Sequence, residues 1–301
     1  MNAKSMDRGV GVIGLGLMGS ALADRLHAQG FLVVVWNRSA AKTERFAKAG
    51  VPVAASVADA ALASDIIIVC LIDHAATMAA VAKRAVADAL KGKVLIQLTT
   101  MTSDESRALA AWSGTHGIDY LEGQILDYPD DVRSGESTIP SAGPKRVFES
   151  CRSILEALAA RAPHLSETLG AAALLDKALF EVGFPAYIGF LHGAAMCQAV
   201  GVPIEVYADL VIAAYFKSKV VEQELGELAE RIKATSYAEG VKAALSTYQA
   251  AFAKTLSESE AMGLESGHLR AVDAIFKRAI AAGHGDHDFA AVFETLKKGS
   301  A

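Results

Sequence analysis

Cysteine is scarce in this sequence: the 301 residues include only Cys70, Cys151 and Cys197. An odd number of widely spaced thiols with no CxxC pair argues against a disulfide framework and against a zinc cluster, and it fits a reducing cytoplasm. Charge of one sign is lacking as well. With 29 basic and 34 acidic residues the net charge is −5, so neither nucleic acid nor a membrane surface is an expected partner. The opening "MNAKSMDRG" has no apolar signal core. The most apolar later run, Phe180 to Ile204, is interrupted by Glu181, Pro185 and His192, and reads as a buried helix rather than a membrane span. Internal repeats and low-complexity linkers are missing too. What the chain has in quantity is apolar surface: hydrophobic residues make up 52% and the mean hydropathy is +0.29, which implies that a subunit interface hides part of it. The length allows two domains with a large core.

"RGVGVIGLGLMGSALADRLHAQGFLVVVWNRS" reads as a strand (Val10 to Ile13), a glycine turn, a helix (about Met18 to Gln29) and a second strand (Phe31 to Trp36), which is a βαβ unit. Gly14, Gly16 and Gly19 form G-x-G-x-x-G. They supply a tight turn, a backbone open to a pyrophosphate, and close packing of helix on strand. Leu15, Leu17 and Met18 complete the expected cofactor-binding turn. At the end of the second strand an enzyme for NAD usually carries an acid, whereas this chain has Asn37, Arg38, Ser39 and then Lys42. A guanidinium, a hydroxyl and a second cation suit a 2′-phosphate, so NADPH is the expected cofactor.

Further apolar runs, "DIIIVCLI" (Asp65 to Ile72), "KVLIQLT" (Lys93 to Thr99), "IDYLEGQIL" (Ile118 to Leu126) and "STIPSAG" (Ser137 to Gly143), alternate with alanine-rich helical stretches, as in a sheet covered on both faces. Ligands of such sheets lie past the carboxyl ends of the strands, which places Leu71, Ile72, Thr99 and Thr100 in the cofactor crevice. After "PHLSETLG" the pattern turns helical. One helix runs from about Ala171 to Val200, kinked or divided by Pro185; others begin near Pro203, Ser236 and Gly267, and a last one follows "GHGDHD". The expected α/β architecture is an N-terminal Rossmann dinucleotide-binding domain (1–168), a long interdomain helix, and an all-helical domain (169–301).

These motifs resemble the β-hydroxyacid dehydrogenase superfamily, and the segments that vary within it resemble the imine reductase branch. In the hydroxyacid enzymes the long helix opens with G-x-G-x-x-x-K followed by paired asparagines, and the lysine is the acid/base. Counting from Gly170, "GAAALLD" puts Asp176 on that position and "ALFEV" where the asparagines would be, with Lys177 one residue late. One residue rotates a helical side chain by about 100°. The strand that would supply a Ser-Gly-Gly carboxylate anchor reads "EGQILDYPDD" instead, so a hydroxyacid has lost its base and its anchor.

The resemblance implies reduction of cyclic imines by NADPH, with Asp176 as proton donor or iminium stabiliser in an apolar setting. It also assigns substrate binding and dimerisation to the helical domain (169–301), in a homodimer that exchanges C-terminal helices, with each cleft between one subunit's Rossmann domain and its partner's helices. Ile125, Phe180 and Phe184 are the expected substrate contacts; Phe180, Gly183 and Phe184 share the helix face of Asp176. Thr100 stands where some carbonyl-condensing relatives have Asn. Pairing of Asp176 with Lys177, a hydroxyacid or semialdehyde reductase working through Lys177, and a non-enzymatic NADPH sensor are the alternatives.

The dense group His284, Asp286, His287 and Asp288 reads as a glycine turn followed by a capping Asp288, and no metal is expected. His192 reads as a core histidine. Tyr128, Asp130 and Asp131 follow a strand at the mouth of the crevice and read as a solvated loop, with substrate contact as the alternative.

Overall fold

The computed structural model describes residues 9–297 and divides into two compact units between Val182 and Gly183. The first unit runs β1 (Gly9–Ile13), α1 (Leu17–Ala28), β2 (Leu32–Trp36), α2 (Glu44–Lys48), α3 (Val57–Leu62), β3 (Ile66–Val69), α4 (His74–Val81), α5 (Arg84–Leu90), β4 (Val94–Gln97) and α6 (Ser103–Thr115). It continues through β5 (Asp119–Gly123), α7 (Pro129–Ser134), β6 (Ser141–Ala142), α8 (Lys145–Leu158), β7 (His164–Ser166) and the first part of α9 (Ala171–Ala199). The strands form one sheet in the order β2-β1-β3-β4-β5-β6-β7, parallel except where β6 meets β5.

Alternation explains the two cores. Ile66 and Ile68 of β3 face α1 and α8, while Ile67 and Val69 face α3, α5 and α6. All four are fully buried, and each contributes about 1.5–3 kcal/mol of burial free energy. The chain order reverses between β1 and β3, which puts the glycine turn at the topological switch point of a Rossmann-type sheet.

The expected strand over 137–143 shrinks to Ser141–Ala142. Asp127 holds the preceding segment, accepting from the Thr138 N–H at 2.6 Å and the Ser137 hydroxyl at 3.3 Å, and Pro140 has no N–H to donate. The edge strand β7 had no apolar run to announce it.

The second unit contains the rest of α9, then α10 (Ile204–Val211), α11 (Val220–Ala234), α12 (Leu245–Ala261), α13 (Gly267–Ala279) and α14 (Val292–Leu296). Pro185 does not divide α9. Proline offers no N–H to the Glu181 carbonyl, and residues 181 and 185 are both exposed. The helix expected near Ser236 begins only at Leu245. Thr235 takes a left-handed conformation that ends α11, and the Arg231 guanidinium donates to the carbonyls of Glu239 and Gly240, both at 2.7 Å, which holds the intervening loop open.

A small core of Leu245, Phe276, Ala279 and Val292 joins α12, α13 and α14. By contrast α10 and α11 bury no residue within the described chain, and Leu210 and Phe216 are 65% and 74% exposed. No helix among the described residues is long and apolar enough to cross a membrane.

Candidate active site

The three motif glycines do different work. Gly14 has φ +99, and a Cβ there would overlap the Cys70 carbonyl oxygen and come within 2.6 Å of Leu71 Cδ2. A Cβ on Gly19 would overlap the Gly14 carbonyl, so α1 sits directly on the turn. A Cβ on Gly16 would meet no protein atom within 4 Å. Gly16 is the N-cap of α1 and makes no side-chain cap, and the first turn carries no acid; α3, α4 and α6 are instead capped by Ser56, Asp73 and Thr102. The same lack of a side-chain cap occurs in α5 and α8, but only α1 opens on the glycine turn, where the open space at Gly16 leaves room for an anion at its N–H groups. Leu15, between the glycines, is buried, whereas Leu17 is 80% exposed and Met18 packs against the core.

Asn37 ties this turn to the end of β2. It accepts from the Leu15 N–H at 3.0 Å and donates to the Ser39 carbonyl at 3.1 Å. Arg38, Ser39 and Lys42 are exposed beyond it, on the loop and the short 3-10 turn Ala40–Lys42. Across the switch point the Leu71 N–H donates to Thr99 Oγ1 at 2.9 Å, and Thr99 itself is buried beside Thr77, so it braces β3 against β4. Ile72 and Thr100 are exposed.

Two cations escaped the sequence reading. Leu15, Gly16, Leu17, Lys42, Arg45 and Arg133 line one cleft. Asp24 of α1 grips Arg45 at 2.9 and 3.0 Å and Arg133 at 3.4 Å, and Arg133 also meets Asp130 at 2.6 Å. Arg45, three residues past Lys42, was findable as a continuation of the basic stretch. Arg133 was not, because the packing of α7 on α1 delivers it. The presumed loop at Tyr128 is in fact the cap of α7: the Tyr128 N–H donates to Asp131 at 2.9 Å, and Asp130 serves Arg133.

At the start of α9, Ala172, Ala173 and Asp176 are buried. Lys177 Nζ lies 2.6 Å from Asp176 Oδ2; the lysine side chain is 38% exposed and the aspartate 6%. Lys177 Nζ also stands 5.3 Å from the centre of the Phe180 ring. Asp176, Lys177 and Phe180 are thus brought together, with the pairing weighed above as an alternative present. Ile125 is half-buried against the sheet core, and Phe184, in the second unit, is exposed.

Elsewhere in the second unit, His192 Nε2 meets Ser259 Oγ at 2.9 Å, and its ring lies edge-on to His268. Asp288 accepts from the Ala290 N–H at 3.0 Å as a cap, and His284 and His287 approach at 3.0 Å. Among the described residues no three His, Cys, Asp or Glu are grouped to hold a metal ion.

The glycine turn, the uncapped helix and the basic strand end fit a phosphorylated dinucleotide. A family model for the NAD binding domain of 6-phosphogluconate dehydrogenase matches residues 9–170, and one for the NADPH-dependent reductive aminase-like C-terminal domain matches residues 169–298. The chain is similar in structure to an imine reductase from Myxococcus stipitatus in complex with NADP+, at 32% identity and a TM-score of 0.89, covering 96% of this chain and 100% of that one. The chain belongs to the imine reductase family.

The imine reductase assignment extends over both units. An NADPH-dependent reductive aminase of Aspergillus oryzae is 28% identical over 299 residues, 98% of this chain and 99% of that one. A reductive aminase from Aspergillus terreus, solved with NADPH4, cyclohexanone and allyl amine, superposes with a TM-score of 0.85 at 28% identity, covering 97% of this chain and 100% of that one. The protein is accordingly an NADPH-dependent oxidoreductase of the imine reductase type.

Proposed function

We propose that the protein reduces the C=N bond of small cyclic imines or iminium ions to amines, with Asp176 as the acidic group of the site. The observation that carries this reading is a carboxylate nearly withdrawn from water in the first turns of α9, at the place where the hydroxyacid dehydrogenases keep their lysine, with its charge balanced by the half-exposed Lys177 at 2.6 Å. NADPH, when bound, supplies the hydride that adds to the imine carbon. Hydride addition is easy only when the imine nitrogen is protonated or cationic, and a shielded carboxyl group either gives that proton or stabilises the cation. Gly14, Leu15, Gly16, Leu17 and Met18 hold the cofactor's diphosphate; Arg38, Ser39 and Lys42 hold its 2′-phosphate. Leu71, Ile72, Thr99 and Thr100 border the crevice, and Ile125, Phe180 and Phe184 wall the substrate.

The cofactor-binding domain in this reading ends near residue 168, and the helical part from 169 dimerises by exchanging helices with its twin. The exposed apolar side chains of α10 and α11 support a second copy as their cover. Each cleft is then completed by the partner's helices.

Two substitutions test the chemistry. Asp176→Asn keeps size and removes the charge and titratable proton, so kcat for imine reduction falls by roughly 10- to 1,000-fold while NADPH affinity is retained. Lys177→Met keeps the apolar stem and leaves the Asp176 carboxyl in place, so it should lower kcat less than Asp176→Asn does, although it removes the ammonium that pairs with that carboxyl. A permanently charged iminium needs no proton, so it restores the Asn variant if Asp176 donates and does not if Asp176 only stabilises charge. A dead Lys177 variant beside a nearly normal Asp176 variant would return the lysine-based hydroxyacid reading.

A further inference from the structure

Glu122, next to last in β5, is fully buried. Its Oε1 accepts from the backbone N–H of Ala172 at 3.0 Å, and its Oε2 receives the Ser106 hydroxyl. The Ser106 oxygen in turn lies 2.9 Å from Tyr120 Oη, and burial pushes the Tyr120 phenol well above its ordinary pKa, so it stays a donor at neutral pH. Ser106 has one hydroxyl proton, committed to the carboxylate. The chain therefore runs from Tyr120 to Ser106 to Glu122, with the Ala172 N–H entering from the other side.

Ala172 is the second residue of α9, and its N–H has no acceptor within the helix. A buried donor left unpaired there would be costly, so the contact with Glu122 is one the fold must keep. A carboxylate is also the favoured partner for the positive end of a 29-residue helix. The joint is gripped from a second side: Ser103 Oγ donates to the Gly170 carbonyl at 2.9 Å, and Gly170 turns the chain with φ +90. Asp176 stands four residues beyond Ala172, on the same face and about 6 Å further along the helix axis.

We propose that Glu122 is a positioning residue of the reaction: by holding the first turn of α9 through the Ala172 N–H, it sets where the Asp176 carboxyl stands. This rests on the assignment of Asp176 above. A misplacement of about 1 Å at a reacting group is worth up to roughly 10²-fold in rate.

The test compares Glu122→Ala with Glu122→Gln in the intact protein, at a temperature where circular dichroism shows both folded. Glu122→Ala should lower kcat at least about 10-fold, with the NADPH dissociation constant and the imine KM within about 3-fold of the parent. Glu122→Gln keeps an oxygen acceptor for the Ala172 N–H and should recover most of kcat. A folded Ala variant at full kcat, or a Gln variant as slow as the Ala variant, overturns the proposal. Should Glu122→Ala not fold, Ser106→Ala decides: a several-fold lower kcat with unchanged NADPH affinity supports the positioning chain, and an unchanged kcat overturns it. Asp176→Asn in the same assay separates the two assignments. A normal Asp176→Asn rate overturns the catalytic role and the positioning role with it, whereas a slow Asp176→Asn beside a full-speed Glu122→Ala overturns the positioning role alone.

Discussion

Alanine placed at two glycines of one motif should have opposite effects on stability and binding. Gly16 has φ −68 and ψ −170, a conformation any residue adopts, and its added methyl would meet no protein atom within 4 Å. Gly16→Ala should therefore fold normally, with a gain of about 0.4–1 kcal/mol because the unfolded chain loses freedom. The same methyl projects into the approach to the N–H groups of α1, so NADPH affinity should drop about 10- to 100-fold, or about 1.4–2.8 kcal/mol. Gly19→Ala is the reverse case. Its methyl overlaps the Gly14 carbonyl oxygen and lies 3.0 Å from the Gly14 carbonyl carbon, and backbone cannot move aside as a side-chain tip can. Prising α1 off the turn should destabilise the protein by at least about 1–3 kcal/mol, the range for overpacked cores. Urea unfolding without cofactor and fluorescence titration with NADPH measure the two quantities separately. A Gly16→Ala protein that is less stable yet binds NADPH normally, or a Gly19→Ala protein as stable as the parent, would refute the reasoning.

Arg38→Asp should raise the KM for NADPH far more than for NADH, because a phosphate partner becomes a like charge, and equal use of both cofactors by the parent would contradict the assignment. Arg133→Gln removes a cation already shared with Asp24 and Asp130, so a smaller loss of NADPH affinity, about 3- to 10-fold and shrinking with added salt, is expected in the same titration. In the second unit, Lys277 and Gln249 hold the Asp273 carboxyl below its ordinary value of 3.8. A depressed carboxylate stabilises the fold at neutral pH, and that contribution fades as pH falls below about 4 through the lowered value, so Asp273→Asn should lower the urea midpoint at pH 7 and matter progressively less in acid. Sedimentation should find a dimer at low micromolar concentration that loses folded structure together with its association; a stable, active monomer would count against the shared cleft.

What was legible in the residues alone is what acts within a turn or two of chain. The strand, glycine turn and helix around Gly14, Gly16 and Gly19 and the basic cluster after Asn37 show in residue type and spacing, and the cap at Asp288 does so because its partner, the Ala290 N–H, lies two residues away. The helical second half was readable as a class, but the start of α12 was not. Pro185 leaves α9 undivided, while the Arg231 fork and a left-handed Thr235 hold a loop where a helix was expected.

Folding alone decided the partners. Glu122 reaches Ala172 across 50 residues, and Asp24 meets Arg133 across 109. Neither pairing leaves a trace in local spacing, since each depends on how strands order in the sheet and how α7 lies on α1. The Asp176–Lys177 pair is adjacent in sequence, yet which of the two is buried is also a tertiary matter. The first turns of α9 turn the aspartate inward with Ala172 and Ala173 and leave the lysine side chain 38% exposed, a difference in solvation that adjacency in the sequence does not carry.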